Sequence, residues 1–228
     1  MRPELKVLAR NRALELTHFI DNSPTPFHAV SSLTEIFMSS GFRCITEDEP
    51  WTLKSGDRCI VTRNGSTLAA FVVGSKSVAE SGFRIVGAHT DSPNFRLKPK
   101  SVSDKLGYVQ LAVEPYGGLI LASWLNRDLS VAGRVVVRSK GGRLFSKLVR
   151  IDRPFLSIPQ LAIHLDREVN EKGLVLNKQT NLSPIVGLVN SGVDSTERFH
   201  DLFAFGENEL IGFDLALYDT QPSAIGGM

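Results

Sequence analysis

Through the first forty residues the apolar positions recur at helical spacing. Between residues 3 and 20, Leu5, Leu8, Leu16 and Phe19 are separated by charged positions, which predicts an amphipathic surface helix. In "SPTPFHAVSSLTEIFMSSG", Thr25 is an N-cap and Pro26 suits the first helical position. Leu33, Ile36 and Phe37 make an apolar stripe and Gly41 supplies the stop, so a second helix follows. The period then changes. "RCIVTRNGSTLAAFVVG" holds two strand-like runs joined by Asn64-Gly65, a strong hairpin signal. "FRIVGAH", residues 83–89, is apolar apart from Arg84 and reads as a strand covered on both faces. Helices followed by a buried strand predict a mixed α/β layer structure.

Beyond Lys100 the texture turns to strands and turns. "YVQLAVEPYGG" is followed by "GRVVVRSKGGRLFSKLV", with Gly141-Gly142 as its turn, and by the Pro-bounded "RPFLSIPQLAIHL". A short helix is expected in "STERFHDLFAFG", capped by Ser195. "LIGFDLALYD" alternates Ile211, Phe213, Leu215 and Leu217 with Gly, Asp, Ala and Tyr, the pattern of a half-buried strand. Gly226-Gly227-Met228 then reads as a turn whose following element is missing. The expected division is residues 1–97 as part of an α/β domain, 98–212 as a β-rich insertion and 213–228 as a strand returning to the first domain.

Composition narrows the function classes. Twenty-six basic and 24 acidic residues are interspersed, leaving a net charge of +2 and no surface suited to nucleic acid. Cys44 and Cys59 have the spacing of neither a zinc knuckle nor a redox pair, which fits a reducing compartment and a cytoplasmic protein. The N-terminus lacks a signal-peptide core, and the longest apolar run, near residues 68–73, is too short to span a bilayer. No membrane partner is expected. A nucleotide-binding α/β protein is disfavoured because no Gly-rich loop joins a strand to a helix.

The chemistry gathers where the apolar run 83–89 ends. Side chains two apart on a strand point the same way, so His89 and Asp91 would share a face as the backbone leaves the sheet, where α/β sheets place their sites. A metal-ligating imidazole needs a carboxylate or carbonyl on its other ring nitrogen, and Asp91 can supply it directly or across the turn at Ser92-Pro93. By itself the spacing fits equally a histidine hydrogen-bonded in a turn beside an Asx-turn aspartate. His18, His28 and His200 have no carboxylate or second histidine at a ligand offset. Glu168, Glu171, Asp194, Glu197, Glu207 and Glu209 show no spacing that converges on His89.

"GAHTDSPNFRLKP", taken with "SPTPFHAV", "YGGLILASWLNRDLSVAGRV", "LAIHLDR" and "LYDTQPSAIGG" in the same order, resembles the aspartyl aminopeptidase family of two-metal exopeptidases, over its first half. The resemblance implies a zinc-peptidase-like α/β fold, a mixed sheet flanked by helices, interrupted by a β-rich dimerisation domain. It implies two Zn2+ ions per intact active site, peptides with acidic N-termini as substrates, and a homo-oligomer of tetrahedral form built through the inserted domain. His89 matches the first zinc-ligating histidine and Asp91 the aspartate that orients a ligand beside the metals. His164 matches a histidine that the inserted domain presents to a neighbouring subunit's active site. Asn126, in "WLNRDL", stands where the family usually has an aspartate; Arg127 and Asp128 remain for ion-pair or loop contacts.

The family's other ligands, a bridging Asp, a Glu pair containing the general base, another Asp and a late His, match nothing in these residues. The isolated polypeptide is therefore expected neither to hold a two-metal centre tightly nor to hydrolyse peptides well. Residues 83–89 would leave an uncovered strand position, an edge that favours association. The insertion is expected to be the more self-sufficient part. The alternative reading is a non-catalytic truncated subunit or oligomerisation module.

Overall fold

The computed structural model describes every residue except Met1, Ser191, Val193, Ala204, Phe205 and Met228. The chain divides into two compact units, Met1–Ser92 with Pro222–Met228, and Pro93–Gln221. The second unit thus begins ahead of residue 98 and ends after residue 212. β-strands starting at Asn94 and ending at Asp219 belong to its sheet, so the strand expected to return to the first domain is part of the second unit.

The first unit opens with helices α1 (Pro3–Asp21) and α2 (Pro26–Ser39). Thr25 caps α2, its Oγ1 accepting the His28 N–H. The far end of α2 closes as a Schellman turn: Gly41 takes φ 84°, the Phe42 N–H donates to Phe37 O and the Gly41 N–H to Met38 O. The Phe37 and Phe42 rings, 5.0 Å apart, supply the accompanying apolar contact. Strands β1 (Arg43–Cys44), β2 (Arg58–Arg63) and β3 (Thr67–Val72) form a sheet in that order, β1 parallel to β2 and β3 antiparallel. The β2–β3 turn contains Asn64 and Gly65, both at positive φ, as the dipeptide predicts. Cys44 and Cys59 are free thiols, Cys59 buried.

A short helix α3 (Val78–Ser81) follows, and here the structure corrects the sequence reading. Residues 82–89 pair with no strand, and Phe83, Ile85 and Val86 are 76%, 82% and 100% exposed. The physical reason is that a strand exists only through neighbours that take its N–H and C=O groups and cover its faces, and the described residues supply neither.

The second unit holds a six-stranded antiparallel sheet. Its strands are β4 (Asn94–Lys105), β5 (Tyr108–Tyr116), β6 (Leu129–Arg138), β7 (Leu144–Arg150), β8 (Ile185–Leu188) and β9 (Glu209–Asp219). The spatial order is β7-β6-β9-β4-β5-β8. The β4–β5 turn is the two-residue Leu106-Gly107, both at positive φ, and Gly142 (φ 80°) makes the β6–β7 turn expected at Gly141-Gly142. The half-buried strand that alternation suggested holds for the first part of β9, where Glu209 and Ile211 are exposed, but not for the second. β9 lies between β6 and β4, and Leu215, Ala216, Leu217 and Tyr218 are all buried. Phe95, Leu111, Leu129, Val131, Val135, Leu215 and Leu217 form the centre of one core, joined by Ile158, Leu182, Phe199 and Phe203. Gly133 (φ 156°) is required where β6 crosses β9, because a Cβ there would stand 2.1 Å from Asp214 O.

Two shorter helices complete this unit, α4 (Val169–Lys172) and α5 (Ser195–Asp201). Asp194, not Ser195, caps α5: its Oδ1 accepts the N–H groups of Thr196 at 2.7 Å and Glu197 at 3.0 Å. An aspartate one residue earlier reaches the same donors and brings a negative charge to the helix start. The sequence expectation also ran through Ala204 and Phe205, which lie outside the described residues, as does Met228.

Candidate metal half-site

Past the exposed run, the backbone is pinned again: Thr90 Oγ1 donates to Ser66 O, in the β2–β3 turn, at 2.7 Å. Between these points stands His89, its side chain 78% exposed. Nδ1 lies 2.5 Å from the backbone oxygen of Asp91 and 3.6 Å from Asp91 Oδ1. A carbonyl oxygen only accepts, so Nδ1 carries the hydrogen and donates it. In the neutral imidazole this arrangement leaves the lone pair on Nε2, the tautomer in which a histidine coordinates a metal. The support thus comes first from the Asp91 backbone, with the carboxylate as a longer-range neighbour.

The fit to zinc stops there. No group of three or more His, Cys, Asp or Glu side chains among the described residues could hold a metal ion. One imidazole is well short of the three protein ligands of a catalytic zinc. Four of the six carboxylates considered from the sequence are engaged in other contacts: Glu168 with Lys172, Glu207 with Lys140, Glu209 with Arg138, and Asp194 at its cap. The cap hydrogen bonds from the Glu197 and Thr196 N–H groups hold the Asp194 carboxyl below the usual range. His28 Nδ1 is 2.7 Å from Thr25 Oγ1, and the Asn22 amide lies 3.2 Å from His18 Nε2.

His164 lies in the second unit, on an exposed turn flanked by exposed Leu161, Ile163 and Leu165. The turn is closed by the Leu165 N–H donating to Ala162 O at 2.8 Å. Such a knob of apolar side chains around an imidazole projects chemistry outward rather than packing it inside.

The "WLNRDL" segment has a structural account that spacing did not reveal. Asn126 sits at φ 56°, a left-handed backbone that Asn tolerates better than most residues. Its N–H donates to Ile158 O, and its Oδ1 accepts the Gln160 N–H, both at 2.9 Å. Arg127 pairs with Asp219 at 2.6 Å, and the Asp128 carbonyl accepts both the N–H and the hydroxyl of Thr220. Asn126, Arg127, Asp128, Asp219 and Thr220 line an open cleft of about 590 Å³. An acceptor at position 126 is needed for these contacts; a charge there is not.

From residue 19 to residue 228 the sequence matches the family described as Aminopeptidase I zinc metalloprotease (M18). The chain belongs to the M18 aminopeptidase family. It is 44% identical over 222 residues to a probable M18 family aminopeptidase 2 of Stutzerimonas stutzeri, covering 93% of this chain and 51% of that protein. It is 40% identical over 251 residues to an aspartyl aminopeptidase of Dictyostelium discoideum, covering 95% and 51%. Among solved structures, it superposes on a chain of the Ape4 and Nbr1 complex with TM-score 0.91 at 37% identity, covering 100% of this chain and 47% of that one. The Saccharomyces cerevisiae mApe1 dodecamer gives TM-score 0.77 at 30% identity, covering 95% and 50%. The M18 chain spans about half the length of the curated relatives it matches. No helix among the described residues is long and apolar enough to cross a membrane.

Proposed function

We propose that this chain contributes the first half of an aspartyl aminopeptidase, a cytoplasmic enzyme that removes N-terminal Asp or Glu from peptides by two-zinc hydrolysis. The observation that carries the reading is the exposed His89, its Nδ1–H held by the Asp91 carbonyl and its Nε2 free to coordinate, in a chain of a zinc metalloprotease family. His89 is one ligand, and Asp91 positions it. His164, on its outward turn, serves the active site of a neighbouring subunit within a homo-oligomer built through the β-rich unit. The zinc ions supply Lewis acidity; the protein's part in this half is to aim the imidazole and keep its tautomer fixed.

The polypeptide alone holds too few ligands for that centre. Purified as it stands, it should bind less than one zinc per chain after dialysis and show no turnover of a Glu-terminated peptide. Fused to the remaining half of the Stutzerimonas stutzeri relative, it should take up zinc and release N-terminal Glu. His89→Ala should then lower metal affinity and activity about 10- to 100-fold or more. A fusion that takes up zinc and works equally well without His89 contradicts the proposal. A second reading, an oligomerisation module without catalysis, is favoured by the complete core of the second unit. It predicts a stable oligomer with no metal uptake in the fusion.

A further inference from the structure

At one end of the sheet in the second unit, where β8 is the last strand, two chain segments part and leave a hollow. Ser157 and Ile185 exchange both backbone hydrogen bonds, at 3.2 and 2.8 Å, and so sit as strand neighbours. The pairing stops just before them: Pro154 has no N–H to give, and the Phe155 N–H donates to Leu129 O at 3.1 Å. Residues 153–155 therefore turn to β6, while β8 runs on beside β5. Helix α5 covers the gap. Ser195, Arg198, Phe199 and its C-cap Leu202 are spaced i, i+3, i+4 and i+7 on one side of the helix, and all four line a cavity of about 210 Å³.

The cavity combines apolar walls with unneutralised charge. Phe199 is buried and meets Phe203 edge-on, ring centroids 5.3 Å apart, which fixes one aromatic wall. Phe155, half-buried, supplies another. At Gly187 a Cβ would meet no atom within 4 Å, so the space beside β8 is open. Arg153 and Arg198 also line the cavity, and Arg153 lies over the Phe155 ring at 5.8 Å. Neither guanidinium has an ion-pair partner among the described residues. Asp152, beside Arg153, pairs with Arg150 at 2.7 Å, and Asp194, one turn before Arg198, uses Oδ1 for its cap.

Two cations without counter-ions at one small apolar hollow call for a ligand that is apolar at one end and anionic at the other. Size narrows the class. An apolar cavity of about 150 Å³ takes up benzene, so this one has room for a single ring or branched alkyl group. A planar carboxylate matches the fork of a guanidinium group. We propose that this cavity binds a monocarboxylate joined by a short spacer to one aromatic or branched alkyl group. The apolar group packs against Phe155 and Phe199, the carboxylate meets Arg153 and Arg198, and the Ser195 hydroxyl donates to it. A free arylalkanoic acid offers this chemistry, and so does the C-terminal Phe or Leu of a peptide. The proposal stands apart from the reading of His89 and needs no metal.

Calorimetric titration of the 228-residue chain with hydrocinnamate tests it. The dissociation constant should lie below about 1 mM. Hydrocinnamyl alcohol, which keeps the ring and lacks the charge, should bind at least about tenfold more weakly, a comparison that needs no variant. Arg153→Met and Arg198→Met should each weaken hydrocinnamate binding at least about tenfold, and Gly187→Ile, which fills the cavity from β8, should abolish it. The urea midpoint of each variant confirms that its fold persists. Acetyl-Ala-Ala-Phe and its C-terminal amide separate the two sources. Binding of the free-acid peptide but not the amide upholds the proposal with a polypeptide C-terminus as ligand. Binding of hydrocinnamate and neither peptide upholds it with a small acid as ligand. Dissociation constants above about 1 mM for both acids overturn it. So do equal affinity for acid and alcohol, and binding indifferent to both arginines or to Gly187→Ile.

Discussion

The two units solve the problem of burying apolar side chains to different degrees. In the second, β9 lies between β6 and β4 with Leu215, Ala216, Leu217 and Tyr218 buried, and the residues of six strands close around one core. In the first, burial of apolar side chains is confined to Pro26, Phe27, Ala29, Val30, Cys59 and Ile60 among the described residues, while α1 and residues 83–88 present theirs to solvent. A sheet of three strands with helices beside it has one layer too few to hide its apolar faces. The comparison teaches that a well-formed hairpin or helix cap is a local achievement. A core is collective and appears only where every layer is present.

The largest expected effect separates the units outright. A polypeptide of residues 93–221 should unfold in urea in one cooperative transition, and residues 1–92 should show none, as read by circular dichroism and tryptophan fluorescence. Equal cooperativity in both would erase the contrast. Next in size, Gly133→Ala forces a Cβ against Asp214 O and should destabilise the second unit by about 3 kcal/mol, measured by the urea midpoint. Smaller again, Asn126→Ala loses both the left-handed preference and the acceptor for Gln160 and should cost about 1–2 kcal/mol. Asn126→Asp, which keeps both, should stay within about 0.5 kcal/mol.

The smallest effect is pH-dependent. Cap hydrogen bonds hold the folded Asp194 carboxyl below its unfolded value, so its contribution is present above the ordinary Asp range and lost as pH falls through the lowered folded pKa. Amide exchange in α5 should speed up over that acid window, and Asp194→Ala should remove the pH dependence while exchange stays fast at neutral pH.

What was legible in the sequence was whatever chemistry acts within a few residues. Thr25 and Gly41 bracket α2, Asn64-Gly65 turns one hairpin and Gly142 another, each because local backbone preference alone decides it. Asp194 displaced Ser195 as a cap because two adjacent residues compete for the same donors, and only the backbone path decides between them. Asn126 read as an oddity until its φ and the Gln160 contact were visible. Residues 83–89 were misread for a deeper reason: an apolar run states what it needs, not whether its neighbours are there. At the site, spacing brought His89 and Asp91 together, but the hydrogen bond runs to the backbone carbonyl, a partner that any residue at position 91 would offer.

Hydrogen exchange on the intact 228-residue chain, resolved by peptide, tests the contrast between open and closed units most directly. Residues 83–88 should exchange at nearly unprotected rates while β6 and β9 exchange only through global opening of their unit. Protection of residues 83–88 in dilute chain matching that of β6 would contradict the account.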